Sequence, residues 1–372
     1  MLAELGNPQS HFAAVHVGGT NGKGSVGVLV AEALRVAGSR VGLYTSPHLV
    51  DVRERMLVDG RPIPAEAFVA WTRRLEPVLD AAGASFFEAT TAIALADFAA
   101  RGVDIAVVEV GLGGRLDATN VLTPLVSAVT HVALEHTEYL GTTLESIARE
   151  KAGIAKPGVP FVVGEPDPAL REVMLEHARV VGALPVVVAP EVRYTGHLAL
   201  QGAHQRRNAA IAAQVLAVLP DAWRPPPEAV AAGFARARLP GRFDRQGRWL
   251  FDVAHNPDGV SALVAALAAD PPRRPLHAVV CILRDKDWSG MLTRLAGAVD
   301  RVWLTHAPSA PPDRAWDLDA AGALLGTAAV LEPDLAKALT AAQQGAGTVL
   351  VTGSFHTVGD AMARLPGFQP LG

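Results

Sequence analysis

Val15-His-Val-Gly-Gly-Thr-Asn-Gly-Lys-Gly-Ser25 runs a short apolar strand into a glycine-rich turn with one lysine, and an apolar-periodic stretch follows. The run reads as strand, phosphate-cradling loop and helix. Glycines let successive backbone N–H groups close around phosphate oxygens, the new helix directs its positive end at them, and Lys23 adds a mobile point charge. Against the common P-loop spacing, Val17 stands where a glycine belongs and Gly24 where a hydroxyl belongs. The loop is therefore one residue tighter, opened by Gly18 and Gly19, with the hydroxyl displaced to Ser25.

Composition sharpens this reading. Only five of the 33 basic residues are lysine, at 23, 151, 156, 286 and 337, and the other 28 are arginine. A lysine kept against that bias is expected where an amine is needed, as a compact phosphate-binding charge or as a nucleophile. With 372 residues the chain is too long for one ordinary core, so two domains are expected. A net charge of −4 declares no basic face for nucleic acid, which leaves small-molecule substrates. Met1 to Pro8 carries no basic segment leading into an apolar core, and no uninterrupted apolar run reaches the ~18 residues of a membrane span. The lone cysteine, Cys281, excludes an internal disulfide, and a cytoplasmic address is expected.

Outward from the loop, apolar runs at 14–17, 41–45, 104–110, 125–132, 159–164 and 184–188 predict strands buried on both faces. Helical patterns at 24–37, 64–81, 88–100, 142–152 and 167–180 alternate with them, and two more fall at 203–218 and 227–236. The order predicts an α/β fold, a P-loop-type domain with a mostly parallel sheet over residues 1–236. A Pro-Gly break in 237–242 is expected to be the linker. Residues 243–372 then repeat the logic as a smaller Rossmann-like α/β domain, with strands at 242–245, 248–253, 276–283, 300–304 and 347–352 and helices at 257–269, 288–297 and 334–343. No dinucleotide fingerprint follows its first strand, and Gly111-Leu-Gly-Gly-Arg-Leu116 lacks the third glycine and a following periodic helix.

Several polar groups stand where ligands of open α/β sheets bind. Glu109 closes an apolar strand, and beside a phosphate cradle a metal ligand is its natural role, since Mg²⁺ takes one or two protein oxygens plus phosphate and water. His136 is expected at the end of the next strand. Lys151 closes an amphipathic helix, where it either complements the helix dipole or, neutral or carbamylated, joins a metal site. Thr45-Ser46-Pro47 carries hydroxyls past the second strand. Phe251-Asp-Val-Ala-His-Asn-Pro257 gathers an acid, an imidazole and an amide at a strand end of the second half, which suggests a nucleotide held between two domains.

The strings His16 to Ser25, Tyr44-Thr-Ser-Pro-His-Leu49, Phe87-Glu-Ala-Thr-Thr-Ala92, Glu109-Val-Gly-Leu-Gly-Gly-Arg-Leu-Asp-Ala-Thr-Asn120, Leu134-Glu-His-Thr-Glu-Tyr-Leu-Gly141 and Glu150-Lys-Ala-Gly-Ile154 together resemble folylpolyglutamate synthase and dihydrofolate synthase, of the Mur ligase superfamily. The resemblance continues through Gly202-Ala-His-Gln-Arg-Arg-Asn-Ala209, Leu239-Pro-Gly-Arg242, Asp252-Val-Ala-His-Asn-Pro257, Asp285-Lys-Asp287 and Thr352-Gly-Ser354, almost the whole chain in order. It implies that Gly19, Thr20, Asn21, Gly22, Lys23, Gly24 and Ser25 hold the ATP phosphates. Ser46, Glu109 and His136 are implied as magnesium ligands, and Lys151, as a carbamate, as the ligand of a second magnesium ion. Asn208, Arg242, Asp252 and His255 match residues that contact ATP from the far domain or linker. Arg115 and Asp117 fall where the pterin-bearing substrate is expected, and Lys286 and Ser354 where the incoming glutamate is. Lys23, Lys151 and His255 are implied as the catalytic side chains.

The implied reaction is ATP-dependent ligation of L-glutamate to a folate or dihydropteroate carboxylate through an acyl phosphate, by an enzyme commonly monomeric. Members usually carry Asp before the motif histidine, where this chain has Glu135. They also generally carry a helical leader before the segment resembling Leu5-Gly-Asn-Pro8, which serves the dihydropteroate side in bifunctional members, so the resemblance implies either that this activity is lacking or that the start is mis-set. Two other classes share part of the pattern. A cell-wall Mur ligase shares the reaction but usually has a separate leading domain, for which there is no room before residue 15; a non-enzymatic nucleotide switch accounts for the cradle but not for His136, Lys151 and the Asp252 to Asn256 cluster.

Overall fold

The computed structural model describes residues 1–368. The chain divides into two compact units: Met1–Pro47, Arg53–Ala199 and Gln205–Arg238 form the first, and His48–Val52, Leu200–His204 and the chain from Leu239 onward form the second.

In unit 1 the quoted stretch becomes β1 (Ala13–Gly18), a loop, and α1 (Lys23–Val36). Next come β2 (Val41–Tyr44), β3 (Met56–Val58), β4 (Arg61–Pro62), α2 (Ala65–Ala82), α3 (Phe86–Ala100) and β5 (Ile105–Glu109). Then follow β6 (Val126–Val129), α4 (Thr137–Leu140), α5 (Leu144–Ala152), β7 (Pro160–Val163), α6 (Pro168–Val181), β8 (Leu184–Val187), α7 (Ala203–Ala217) and α8 (Pro227–Phe234). Eight strands form one sheet in the order β4-β3-β2-β5-β1-β6-β7-β8, parallel except for β3 and β4. The β3–β4 hairpin is missing from the sequence expectations because its approach, Asp51-Val-Arg-Glu-Arg55, is highly charged. Its signal was nevertheless present. Asp59 and Gly60 take φ of 52° and 77°, the left-handed pair of a two-residue hairpin turn that Asp-Gly favours.

The alternation of β5 sorts its two faces: Ala106 and Val108 join α3 and Tyr44 in one core, while Val107 faces the α1 side at Gly27. Helix α3 starts from a capping box in which Glu88 N–H donates to Ser85 Oγ at 3.3 Å and Ser85 N–H donates to Glu88 Oε2 at 2.8 Å. Helix α3 is buried on most sides and carries almost no amphipathic signal, whereas α1 keeps a modest one; the expected bounds of both lie within two residues of those observed.

Unit 2 holds β9 (Asp244–Gln246), β10 (Trp249–Phe251), α9 (Pro257–Ala269), β11 (Leu276–Val280), α10 (Trp288–Ala296), β12 (Arg301–Leu304), α11 (Leu318–Leu325), β13 (Ala329–Leu331), α12 (Leu335–Ala342), β14 (Thr348–Thr352) and α13 (Phe355–Arg364). Its sheet runs β13-β12-β11-β14-β10-β9, parallel except for β9. One face buries Leu250, Ala278, Val280, Leu304 and Leu350, and the other Trp249, Phe251, Val279, Val349 and Val351, so helices cover both sides. Helices α11 and α13 and strand β13 are absent from the sequence expectations. The last residues of the expected 243–372 domain lie outside the described residues.

Candidate active site

The turn after β1 is built around two left-handed glycines. Gly19 has φ +136° and Gly22 φ +89°, and a Cβ on Gly22 would sit 2.6 Å from Asn208 Oδ1. Thr130 anchors the turn from beneath, donating its hydroxyl to Asn21 O at 2.7 Å, and Thr20 N–H donates to His131 O at 2.6 Å. Helix α1 opens at Gly22 with no side-chain cap and no acidic residue in its first turn, which leaves its first N–H groups for an anion. Lys23 Nζ donates to Gly19 O and Thr20 O, each at 2.9 Å, so the ammonium is held inside the same loop. Ser25 is buried in α1, one turn below Gly22. Asn208 lies in α7 within unit 1, against this loop, rather than in a far domain or linker.

Glu109 is the last residue of β5 and pairs in register with Val17, so its carboxylate arises beside the start of the loop. It is nearly buried, and Ser46 N–H donates to Glu109 Oε2 at 3.4 Å, which places the Ser46 backbone beside that carboxylate. His136 is not at a strand end. Strand β6 stops at Val129, and His136 precedes the short helix α4 with φ +46°. The misplacement came from reading the apolar run to 132 as one strand, when Thr130 and His131 already leave the sheet to brace the nucleotide loop. Hard oxygen donors at Ser46 and Glu109 suit Mg²⁺. Among the described residues no group of three His, Cys, Asp or Glu gathers into a cage.

Lys151 lies in the last turn of α5 but does not reach solvent, being 1% exposed. Its Nζ donates to Glu135 Oε1 at 2.8 Å. Burial pushes the Lys151 amine down to about 8, Glu135 raising it and Lys23 lowering it further. Burial raises the Glu135 carboxyl, yet Lys151 and Lys23 together hold it down at about 2. Lys23, Glu135 and Lys151 thus form one electrostatic group. As an ammonium Lys151 repels a metal ion; the donor set fits a second cation only with that charge removed, and Glu135 must then turn from an anionic neighbour.

The loop after Glu109 is pressed onto the end of α5. A Cβ on Gly114 would lie 2.9 Å from Glu150 O and 3.0 Å from Lys151 O, so only glycine permits the approach. Gly111 is covered by the Phe87 ring and Gly153 by the Arg115 side chain. Arg115 pairs with Glu150 at 2.8 Å. Asp117 is committed to the loop itself: Oδ2 accepts Leu112 N–H at 2.8 Å, and Oδ1 accepts Thr119 N–H at 2.9 Å and the Thr119 hydroxyl.

In unit 2, Asp252 Oδ2 accepts Phe243 N–H and Oδ1 accepts Ala254 N–H, each at 2.9 Å. Burial pushes its carboxyl up to about 6, against the pull of Arg242. His255 donates Nδ1–H to Val253 O at 2.9 Å, and both its ring and the Arg242 guanidinium lie against Phe355, at 5.3 and 4.7 Å between centres. Lys286 Nζ is 3.4 Å from Asp285, which is also held by Arg314. Ser354 caps α13, accepting Thr357 N–H at 3.1 Å and bonding the Thr357 hydroxyl at 2.7 Å. Asn256 likewise caps α9 through Gly259 N–H at 2.7 Å.

Sequence reasoning missed Thr130 and Glu165. Glu165 is buried and accepts Val132 N–H at 2.7 Å, fastening the segment between β6 and Glu135. The available signal was a polar residue one or two positions past an apolar strand, Thr130 after Val129 and Glu165 after Val163.

Residues 241–355 match the Mur ligase, glutamate ligase domain. The folylpolyglutamate synthase of Lacticaseibacillus casei is 36% identical over 345 residues, covering 84% of this chain and 80% of that protein. Among solved structures, Escherichia coli FolC in complex with DHPP and ADP superposes with a TM-score of 0.87 at 35% identity, covering 97% of this chain and 90% of the other. A bifunctional folylpolyglutamate synthase/dihydrofolate synthase with Mn, AMPPNP and L-glutamate bound gives a TM-score of 0.86 at 34% identity, covering 97% and 92%.

Proposed function

The chain belongs to the folylpolyglutamate and dihydrofolate synthase family, and from that premise we propose that it is an ATP-dependent ligase joining L-glutamate to the carboxylate of a folate or dihydropteroate. The observation that carries the reading is the convergence, within unit 1, of an uncapped helix start, the Lys23 ammonium, the Glu109–Ser46 pair and the buried Lys151–Glu135 pair.

A bare carboxylate is too poor an electrophile for an amine. One carboxylate oxygen therefore attacks the γ-phosphorus of ATP, ADP leaves, and the resulting acyl phosphate is attacked at carbon by the glutamate amine, which loses its proton as phosphate departs. Gly19 to Ser25 hold the phosphates by backbone N–H groups. Lys23 exchanges its two loop carbonyls for phosphate oxygens and follows the charge onto the transferred group. Ser46, Glu109 and His136 would hold a divalent cation, which supplies charge neutralisation on the phosphates. Lys151 is the candidate for carbamylation beside a second ion, its burial keeping part of the amine neutral and open to carbon dioxide. Asn208, Arg242, Asp252 and His255 are proposed nucleotide contacts, Arg115 and the loop closed by Asp117 the pterin side, and Lys286 the glutamate side. Ser354 is proposed to act there through its backbone and its cap of α13, since its hydroxyl is used by Thr357.

The test is product formation by the purified chain with ATP, Mg²⁺, L-glutamate and, separately, dihydropteroate or a reduced folate. The expected result is phosphate release that needs glutamate and a product one glutamate heavier. Absence of glutamate-dependent release with every pterin overturns the reading.

A further inference from the structure

His16 stands on β1, directly ahead of the nucleotide loop, and is completely buried. Its side chain does not serve that loop. His16 Nε2 lies 2.8 Å from Thr119 Oγ1, a residue 103 positions away. The hydrogen-bond roles along this contact are forced. The Asp117 carboxylate only accepts, so the single Thr119 hydroxyl proton goes to Asp117 Oδ1 and the imidazole must donate Nε2–H to Thr119 Oγ1. His16 Nδ1 is left without a partner among the described residues, so a second ring proton would be buried unpaired. Burial accordingly pushes the imidazole down to about 3.

The relay ends on the group that closes the loop after Glu109. Asp117 gathers Leu112 N–H, Thr119 N–H and the Thr119 hydroxyl, fixing the chain on both sides of Gly113, Gly114 and Arg115. These residues rest on the last turn of α5, Arg115 N–H donating to Glu150 O at 2.9 Å. No helix or strand spans the loop from Val110 to Asp117, so its shape rests on this carboxylate together with its contacts to α5.

We propose that His16 is a positioning residue for the pterin-bearing substrate: through Thr119 it holds Asp117, and hence the Leu112–Arg115 loop, in the binding conformation. This rests on the reading that the loop faces the pterin side. The strand that feeds the nucleotide loop then also sets the second substrate's loop, through a buried neutral hydrogen-bond relay.

The test compares His16→Gln, whose amide can donate from the position of Nε2, with His16→Leu, which fills the space without a donor, and with Thr119→Val and Thr119→Ser. The first readout is amide hydrogen exchange at Leu112 and Thr119. His16→Leu and Thr119→Val are expected to speed it by about tenfold, whereas His16→Gln and Thr119→Ser stay near wild type. The second is steady-state kinetics: the same two variants raise KM for the pterin substrate roughly three- to tenfold, with KM for ATP within about twofold. The double variant is no worse than either single one, as members of one relay require. Unchanged exchange at Leu112 and Thr119 in both disrupting variants, or an Nδ1–H tautomer of His16 in the nitrogen-15 NMR of the wild-type ring, overturns the relay. An equal rise in KM for ATP and pterin overturns the substrate assignment. Failure of the functional reading is separately visible, as a wild-type chain with no pterin turnover, and the exchange and ring spectra still decide the relay.

Discussion

Gly19→Ala probes the cradle where its geometry is most demanding. With φ at +136° the backbone is in a region that L residues rarely enter, at a cost of about 1–3 kcal/mol. The added Cβ would also collide with Thr130 Oγ1 and lie 3.1 Å from Thr130 N and 3.2 Å from His131 N. Turning Thr130 away sacrifices its bonds to Asn21 O and Gly18 O, about 1 kcal/mol each. The strain and the lost bonds together come to roughly 3–5 kcal/mol, which the loop escapes by opening. Carried by the binding-competent conformation, that cost weakens ATP by a hundredfold or more, since ~1.4 kcal/mol is tenfold. Isothermal titration with a non-hydrolysable ATP analogue is the assay. Gly19→Ala/Thr130→Ala is expected to bind no more weakly than Gly19→Ala, because the hydroxyl bonds it deletes are already lost there and the backbone strain is the same in both. Analogue binding by Gly19→Ala within threefold of wild type would refute the reasoning.

Three further outcomes are expected. Lys151→Arg, which keeps a cation but loses the amine, abolishes turnover; unchanged turnover shows the amine is not needed. Gly114→Ala forces the loop off the Glu150 and Lys151 carbonyls, costing about 1–3 kcal/mol in urea unfolding and raising KM for the pterin more than for ATP; wild-type stability and KM would contradict the packing. For Asp252 the native carboxyl is raised to about 6 from 3.8, so the native state holds its proton more tightly than the unfolded chain. Its contribution to stability therefore falls as pH rises from about 4 to 6, by about 3 kcal/mol in all, and Asp252→Asn should flatten that part of the urea-unfolding profile; an unchanged slope contradicts the shift.

The P-loop strand, turn and helix were readable because glycine and lysine identities report backbone conformation and charge directly. Glu109 was readable because a carboxylate that ends a continuous apolar strand is delivered to the C-terminal edge of the sheet, where ligands of open α/β folds bind. What stayed hidden depends on contacts between distant residues. The Lys151–Glu135 pair, the Thr130 brace and the His16–Thr119 bond join segments whose local patterns carry no trace of one another. Asp117 and Ser354 show the converse: each looked like a substrate group by position, yet its side chain is engaged in holding a loop or capping a helix. His136 was misplaced because the apolar run beyond Val129 continues without strand pairing.

The central claim is that the pterin carboxylate is activated as an acyl phosphate. Turnover with the substrate carboxylate labelled with oxygen-18, followed by mass spectrometry of the released phosphate, tests it directly. The attacking carboxylate oxygen leaves with phosphorus when glutamate takes its place, so each inorganic phosphate should carry one labelled oxygen. Glutamate-dependent phosphate free of label would contradict the account.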